Sequence, residues 1–126
     1  MAARKILVAD EDNDTRVILR TVLERNRYVV IEANTAESAF ESAQQHTFDL
    51  IILNYPMRDK SGDTLVHRIR TSAGTRQVPI LNITSRVVPQ FLMEATAEGV
   101  DLTLPKPLDV ESLLIVVSDM TRAVPA

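Results

Sequence analysis

The 126 residues predict one α/β domain, a doubly wound parallel sheet with helices on both faces, on three observations. The stretch FDLIILNYPM, Phe48 to Met57, runs Phe48, Leu50, Ile51, Ile52 and Leu53 before its first amide, Asn54. Near-continuous Ile and Leu without alternation marks a strand covered on both faces, and such strands lie inside parallel sheets. Other short aliphatic runs precede and follow it, each separated from the next by a stretch of helical periodicity. The links between them are short, so right-handed crossovers place helices on both faces.

The elements follow in order. Lys5 to Ala9 (KILVA) is the first strand, stopped by Asp10-Glu11-Asp12 with Asn13 and Asp14 behind. Acidic and Asx residues cap helices and suit their positive ends. Ile18, Leu19, Val22 and Leu23 form the stripe of the first helix, and Asn26 is its expected left-handed stop. Tyr28 to Glu32 (YVVIE) is the β-branched second strand. Thr35 caps the second helix, whose Ala36, Ala39, Phe40 and Ala43 fall at i, i+3, i+4 and i+7. After the third strand, Tyr55 to Ser61 is a loop, and Gly62 to Thr71 is a third helix with Leu65, Val66 and Ile69 on one face. Val78 to Ile83 is the fourth strand, ending at Thr84-Ser85. Pro89 opens a helix to about Glu98, which Gly99 caps. Asp101 to Leu104 is the fifth strand. Asp109 caps the last helix, with Val110, Leu113, Leu114 and Val117 on its buried side. Five βα units in a chain of this size predict the flavodoxin-like order 2-1-3-4-5, with residues 4–121 structured.

Composition bounds the function. With 45% hydrophobic and 25% charged residues the chain has the make-up of a soluble globular protein. A net charge of −3 argues against a nucleic-acid surface. No apolar run approaches a membrane span, and the absence of Cys excludes disulfides, thiol chemistry and thiolate metal sites. The expectation is a cytoplasmic protein without membrane or nucleic-acid contacts.

In a parallel sheet the carboxyl ends of all strands converge on one rim, where ligands bind. Those ends place Asp10 and Glu11, Asn54, Thr84 and Lys106 together. Two acids, a hydroxyl and an ammonium form a site for a hard cation and a phosphoryl group: carboxylates hold Mg²⁺, Thr hydrogen-bonds a phosphoryl oxygen, and Lys neutralises it.

At this point the chain resembles the receiver domain of two-component response regulators over nearly its whole length. The resemblance rests on ILVADED (Ile6 to Asp12), FDLIILNYPM, ITS (Ile83 to Ser85) and LPKP (Leu104 to Pro107). The intervals fit as well: 44 residues from Asp10 to Asn54, 30 on to Thr84 and 22 on to Lys106. It implies Asp10 and Glu11 as metal acids, with residue 54 and the Pro56 backbone carbonyl completing an Mg²⁺ site. It further implies Thr84 as switch hydroxyl, Ser85 as its small neighbour, Lys106 as the contact to acceptor and phosphoryl group, and a cis Lys106–Pro107 bond. The implied partners are a sensor histidine kinase or phosphotransfer protein upstream. Downstream is an output protein or domain, docked on the face of helix four, strand five and helix five near Phe91 to Ala97 and Leu102 to Leu104; a homodimer stays open. No turnover enzyme is implied.

The departures are as informative. Asn54 stands where the family has its phosphoacceptor Asp, and a neutral amide is a far poorer nucleophile than a carboxylate. Its missing charge weakens the Mg²⁺ site and leaves Lys106 one carboxylate short. Thr103 stands where the family has Tyr or Phe, Arg58 where it has Pro, and Glu11 lengthens the second metal ligand by a methylene. Two readings result. In one, the domain is a phosphoacceptor whose Asn54 is a substitution locking the unphosphorylated state, which the retained Asp10, Glu11, Thr84 and Lys106 favour. In the other, Asn54 is native and the domain is a phosphorylation-independent interaction module, which Thr103 and Arg58 favour. Both expect no stable phosphoryl group on residue 54.

Other readings fail on residue types. Asp10, Asp12 and Asp14 imitate an EF-hand start, but Thr15 and Thr21 stand where that loop needs Gly and Glu. A haloacid-dehalogenase-type phosphatase also opens with Asp-x-Asp, yet needs a longer chain and a Thr where Asp14 stands. A nucleotide or flavin module would offer Gly or Ser/Thr amides after strand one, where this chain has acids. Asp12 and Asp14 are read as cap and dipole residues, His46 and His67 as surface residues, Phe40 and Phe48 as core. Lys60, Arg68, Arg70 and Arg76 are expected to form a solvated face.

Overall fold

Alternate residues of the central strands feed two different cores. The computed structural model describes residues 3–122, and in it β1 (Lys5–Ala9) pairs in parallel with both β2 (Val29–Ala33) and β3 (Leu50–Leu53). β4 (Ile80–Thr84) pairs with β3, and β5 (Leu102–Pro105) with β4. The order is β2-β1-β3-β4-β5, as the sequence predicts. Because strand side chains alternate, Leu7, Ala9, Ile51 and Leu53 point to one face and Ile6, Val8, Leu50 and Ile52 to the other. The first set packs with α2 (Ala36–Gln45), α3 (Leu65–Thr71) and α4 (Pro89–Glu98). The second packs with α1 (Asn13–Arg25) and α5 (Val110–Thr121). All residues of β3 are buried, which is why that strand carries no polar alternation.

Local chemistry explains the ends of the elements. Asp12 is the cap of α1, its carboxylate accepting from the Asp14 N–H at 3.2 Å and the Thr15 hydroxyl at 2.7 Å. Thr35 caps α2 in a capping box completed by Ser38. Asp109 caps α5, and Pro89 opens α4. Gly99 ends α4 at φ +130°, a conformation that favours glycine.

Several expectations are corrected. Asn26 does not take the left-handed position; its φ is −103°, because its side-chain amide donates back to the Val22 carbonyl at 2.8 Å. Arg27 makes the turn instead, at φ 71°. The third helix starts at Leu65, not Gly62: Gly62 sits at φ 90°, outside helical space, and Thr64 is the cap, accepting from the His67 N–H at 3.0 Å. The buried stripe of α1 is Thr15, Leu19 and Leu23, whereas Ile18 faces solvent, as does Val110 on α5. Phe48 is buried, and Phe40 packs half-buried against the core.

Arg70 does not belong to a solvated face. Its guanidinium donates to the carbonyls of Gly99, Val78 and Arg76 and pairs with Asp101 at 2.9 Å, tying α3 to the ends of α4 and β4. Arg68 likewise lies over the Phe40 ring at 4.2 Å and pairs with Asp59. Among the described residues, no helix is long and apolar enough to cross a membrane.

Candidate functional site

The rim is assembled by strand ends. The last residue of β1, Ala9, is in register with Leu53 of β3, so Asp10 and Asn54 leave their strands side by side. Thr84, the last residue of β4, is paired with Pro105, and the Lys106 N–H donates to its carbonyl at 2.8 Å. Asp10, Asn54, Thr84 and Lys106 therefore share one edge of the sheet. Asp10 and Thr84 are buried, Asn54, Pro56 and Lys106 half-buried, and Glu11, Ser85 and Pro107 exposed. The Lys106–Pro107 bond is cis, as is Tyr55–Pro56.

Lys106 is already engaged. Its ammonium reaches from the end of β5 past β4 and β3 to Asp10 of the β1 end, 3.1 Å from Oδ2, where the Asp10 side chain is only 4% exposed. The other carboxylate oxygen, Oδ1, accepts from the Asp12 N–H at 2.9 Å. Arg16 closes the outer side by donating to the Asp10 carbonyl at 2.6 Å and pairing with Glu32 at 3.2 Å. The Thr84 hydroxyl accepts from the Arg86 N–H at 3.0 Å.

The donor set around residue 54 is made of oxygens, the right kind for Mg²⁺: the carboxylates of Asp10 and Glu11, the Asn54 amide and the Pro56 carbonyl. Its charge is short. Among the described residues no group of three or more His, Cys, Asp or Glu gathers around one point, and both oxygens of Asp10 are occupied. The residues present do not fit a resident Mg²⁺ ion.

The loop beyond Asn54 is built by Asp59. Its carboxylate accepts from the Ser61 hydroxyl at 2.6 Å, the Ser61 and Asp63 N–H groups, and Arg68. The Ser61 hydroxyl, the Asp63 amide and the Arg68 guanidinium together hold this carboxyl down to about 2.

The chain was compared with known proteins. The model of the response regulator receiver domain matches residues 6–118. The chain belongs to the response regulator receiver domain family. It is similar to Protein PetR of Rhodobacter capsulatus, 32% identical over 95% of this chain and 49% of that protein. It is also similar to the phosphate regulon transcriptional regulatory protein PhoB of Escherichia coli, 25% identical over 97% of this chain and 53% of that one. The receiver domain thus spans about half the length of these relatives. Among solved structures, chemotaxis protein CheY4 of Vibrio cholerae superposes with a TM-score of 0.86 at 28% identity, covering 94% of this chain and 99% of that one. A two-component response regulator from Clostridium difficile superposes at 0.83 with 30% identity, covering 93% and 94%. The chain is therefore a receiver domain of two-component signalling, a family that works with histidine kinases and output domains.

Sequence reasoning missed a second set of residues beside the rim of this receiver domain. Asn82, fully buried in β4, accepts from the Tyr55 N–H at 2.8 Å and donates to the Thr103 hydroxyl at 3.4 Å. The Tyr55 phenol donates to Glu98 at 3.1 Å, and the other Glu98 oxygen accepts from Thr64. Burial, and then the Glu98 carboxylate, push the Tyr55 phenol up to about 12. One signal was available: Asn82 is an amide inside the apolar run VPILNI, and a buried amide requires partners.

Proposed function

We propose that residue 54 is the phosphoacceptor position of this receiver domain, and that Asn54 leaves it unable to form a stable phosphoryl adduct. The observation that carries this reading is the placement of Asn54 beside Asp10 at the rim, with the Lys106 ammonium drawn onto Asp10. A carboxylate at position 54 is the nucleophile that makes an acyl phosphate; an amide shares its lone pair with the carbonyl and is a poor substitute. With Asp at position 54, Lys106 gains a second carboxylate partner. Its ammonium then neutralises the incoming phosphoryl group while the Thr84 hydroxyl hydrogen-bonds one of its oxygens. Asp10, Glu11 and the Pro56 carbonyl are the Mg²⁺ ligands of that form, and Asn54 weakens the site by one charge. Ser85 keeps the acceptor accessible, and Pro107 fixes the turn that carries Lys106.

The domain turns over no substrate of its own in this reading. It is a cytoplasmic module that meets a histidine kinase or phosphotransfer protein at the rim and passes its state to an output protein or domain. The face of α4, β5 and α5 supports that second contact: Met93 and Leu102 are exposed there. A second reading, a phosphorylation-independent interaction module with native Asn54, is favoured by the rim being neutralised internally through Lys106 and Asp10. Incubation with a radiolabelled phosphohistidine donor tests the proposal. Label is expected on the Asn54→Asp variant and absent from this chain; label mapped to residue 54 of this chain overturns it.

A further inference from the structure

Residue 55 follows the acceptor position directly, and here it is a tyrosine whose side chain is almost wholly inside, 5% exposed. Its ring meets Phe91 edge to face, with centroids 5.5 Å apart and planes at 62°, and Arg86 lies over the Phe91 ring at 4.3 Å. Its hydroxyl donates to Glu98. Phe91 is in the first turn of α4 and Glu98 is its last residue, so one side chain touches both ends of that helix. The backbone of Tyr55 is pinned as well, by the buried Asn82 amide.

Helix α4 is otherwise lightly held. Only Phe91 and Ala95 are buried along it, its N-cap Val88 supplies no side-chain hydrogen bond, and Val87, Val88 and Met93 are half or more exposed. An element with so few buried contacts sits at the low-stability end of a fold, where one strut decides its position. Thr103 cannot serve as that strut, because it has no ring and its hydroxyl is bonded to Asn82.

We propose that Tyr55 is a positioning residue that couples the state of residue 54 to the placement of helix α4. A change in charge or volume at residue 54 moves the next residue in the chain. The Tyr55 ring and hydroxyl then transmit that shift to Phe91 and Glu98 together. The biological use of this coupling rests on residue 54 being the phosphoacceptor position; the coupling itself does not, since any charge placed there exercises it.

The test is amide hydrogen exchange across residues 90–98 in four proteins: this chain, Asn54→Asp, Tyr55→Phe, and the double variant. Exchange in α1 serves as the internal reference, and Tyr55→Phe keeps ring and volume so that the fold survives. Asn54→Asp is expected to change exchange in α4 by roughly fivefold or more, the ratio one hydrogen bond to a carboxylate supplies. In the Tyr55→Phe background that change should fall by at least about half, and Glu98→Gln should reduce it in the same way. An undiminished α4 response in the Tyr55→Phe and Glu98→Gln backgrounds overturns the proposal, as does the absence of any α4 response to Asn54→Asp. Intact mass after treatment with acetyl phosphate is read on the same samples. An Asn54→Asp protein that gains no phosphoryl group defeats the acceptor reading while the exchange result still decides the coupling.

Discussion

The Lys106 ammonium and the Asp10 carboxylate are 3.1 Å apart, joined across the rim from the end of β5 to the end of β1. This pair satisfies both groups without a phosphoryl ligand. Asp10 is nearly excluded from solvent, so removing its partner strands a buried charge. Lys106→Met is expected to destabilise the domain by about 1–3 kcal/mol, and Asp10→Asn in the same chain to recover part of that loss. A double-mutant cycle in urea checks it; additive effects would show that the pair contributes nothing.

Tyr55 provides a pH signature. Its folded phenol titrates at about 12, above the ordinary 10.0, so the protonated form is the one the fold favours. A group raised in this way contributes stability that is complete below pH 10 and is lost as pH climbs through 12. Tyr55→Phe should therefore flatten the alkaline fall in stability between those two values. In a Tyr28→Phe background the absorbance of the remaining tyrosinate reports Tyr55 alone, and its midpoint should lie near 12. A midpoint near 10.0 would mean the phenol is not buried against Glu98.

Asp59 acts at the opposite end of the scale. Its carboxyl is held down to about 2 by Ser61, Asp63 and Arg68, so its contribution is present above the ordinary value of 3.8 and is lost as pH falls toward 2. Asp59→Asn should weaken the loop after Asn54 at neutral pH and remove that part of the acid transition. Parallel acid unfolding curves for the two proteins would contradict it.

Gly99 is a packing requirement as well as a turn. It sits at φ +130°, and a Cβ built there would lie 2.7 Å from Cγ of Arg70, whose guanidinium also holds the Gly99 carbonyl. Gly99→Ala is expected to cost about 1–3 kcal/mol from backbone strain, with the Arg70 clamp displaced in addition. Thermal unfolding measures it, and a neutral substitution would show that α4 and α3 are not joined through this contact.

Charge restored at residue 54 should restore the metal site. Calorimetric titration of Mg²⁺ is expected to give measurable heat with Asn54→Asp and far weaker binding with this chain, because one carboxylate has been replaced by an amide. Equal affinities would place the ion elsewhere.

The fold was legible because it is written in local periodicity. The all-apolar β3, the i, i+3, i+4 stripe of α2 and the caps Thr35 and Asp109 each report structure within a few residues of themselves. The rim was legible for a related reason: in a parallel sheet, strand ends meet whatever their separation in sequence. What escaped notice is side-chain pairing between distant elements. Tyr55 bonds to a residue 43 positions away, Thr64 to one 34 away and Arg70 to one 29 away, and no pattern in the sequence encodes those choices. Arg70 was read as solvated because four neighbouring basic residues imitate an exposed face; its long side chain instead runs to carbonyls at the ends of α4 and β4. Likewise Asn26 and Arg27 exchanged roles at the end of α1 because the Asn side chain found a nearer carbonyl than the turn required.

The most direct test of the receiver reading is intact mass after incubation with Mg²⁺ and a small-molecule phosphodonor, on this chain and Asn54→Asp side by side. The expected result is one added phosphoryl group on the Asn54→Asp protein, located at residue 54, and none on this chain. A phosphoryl group on residue 54 of this chain, or none on either protein, would contradict it.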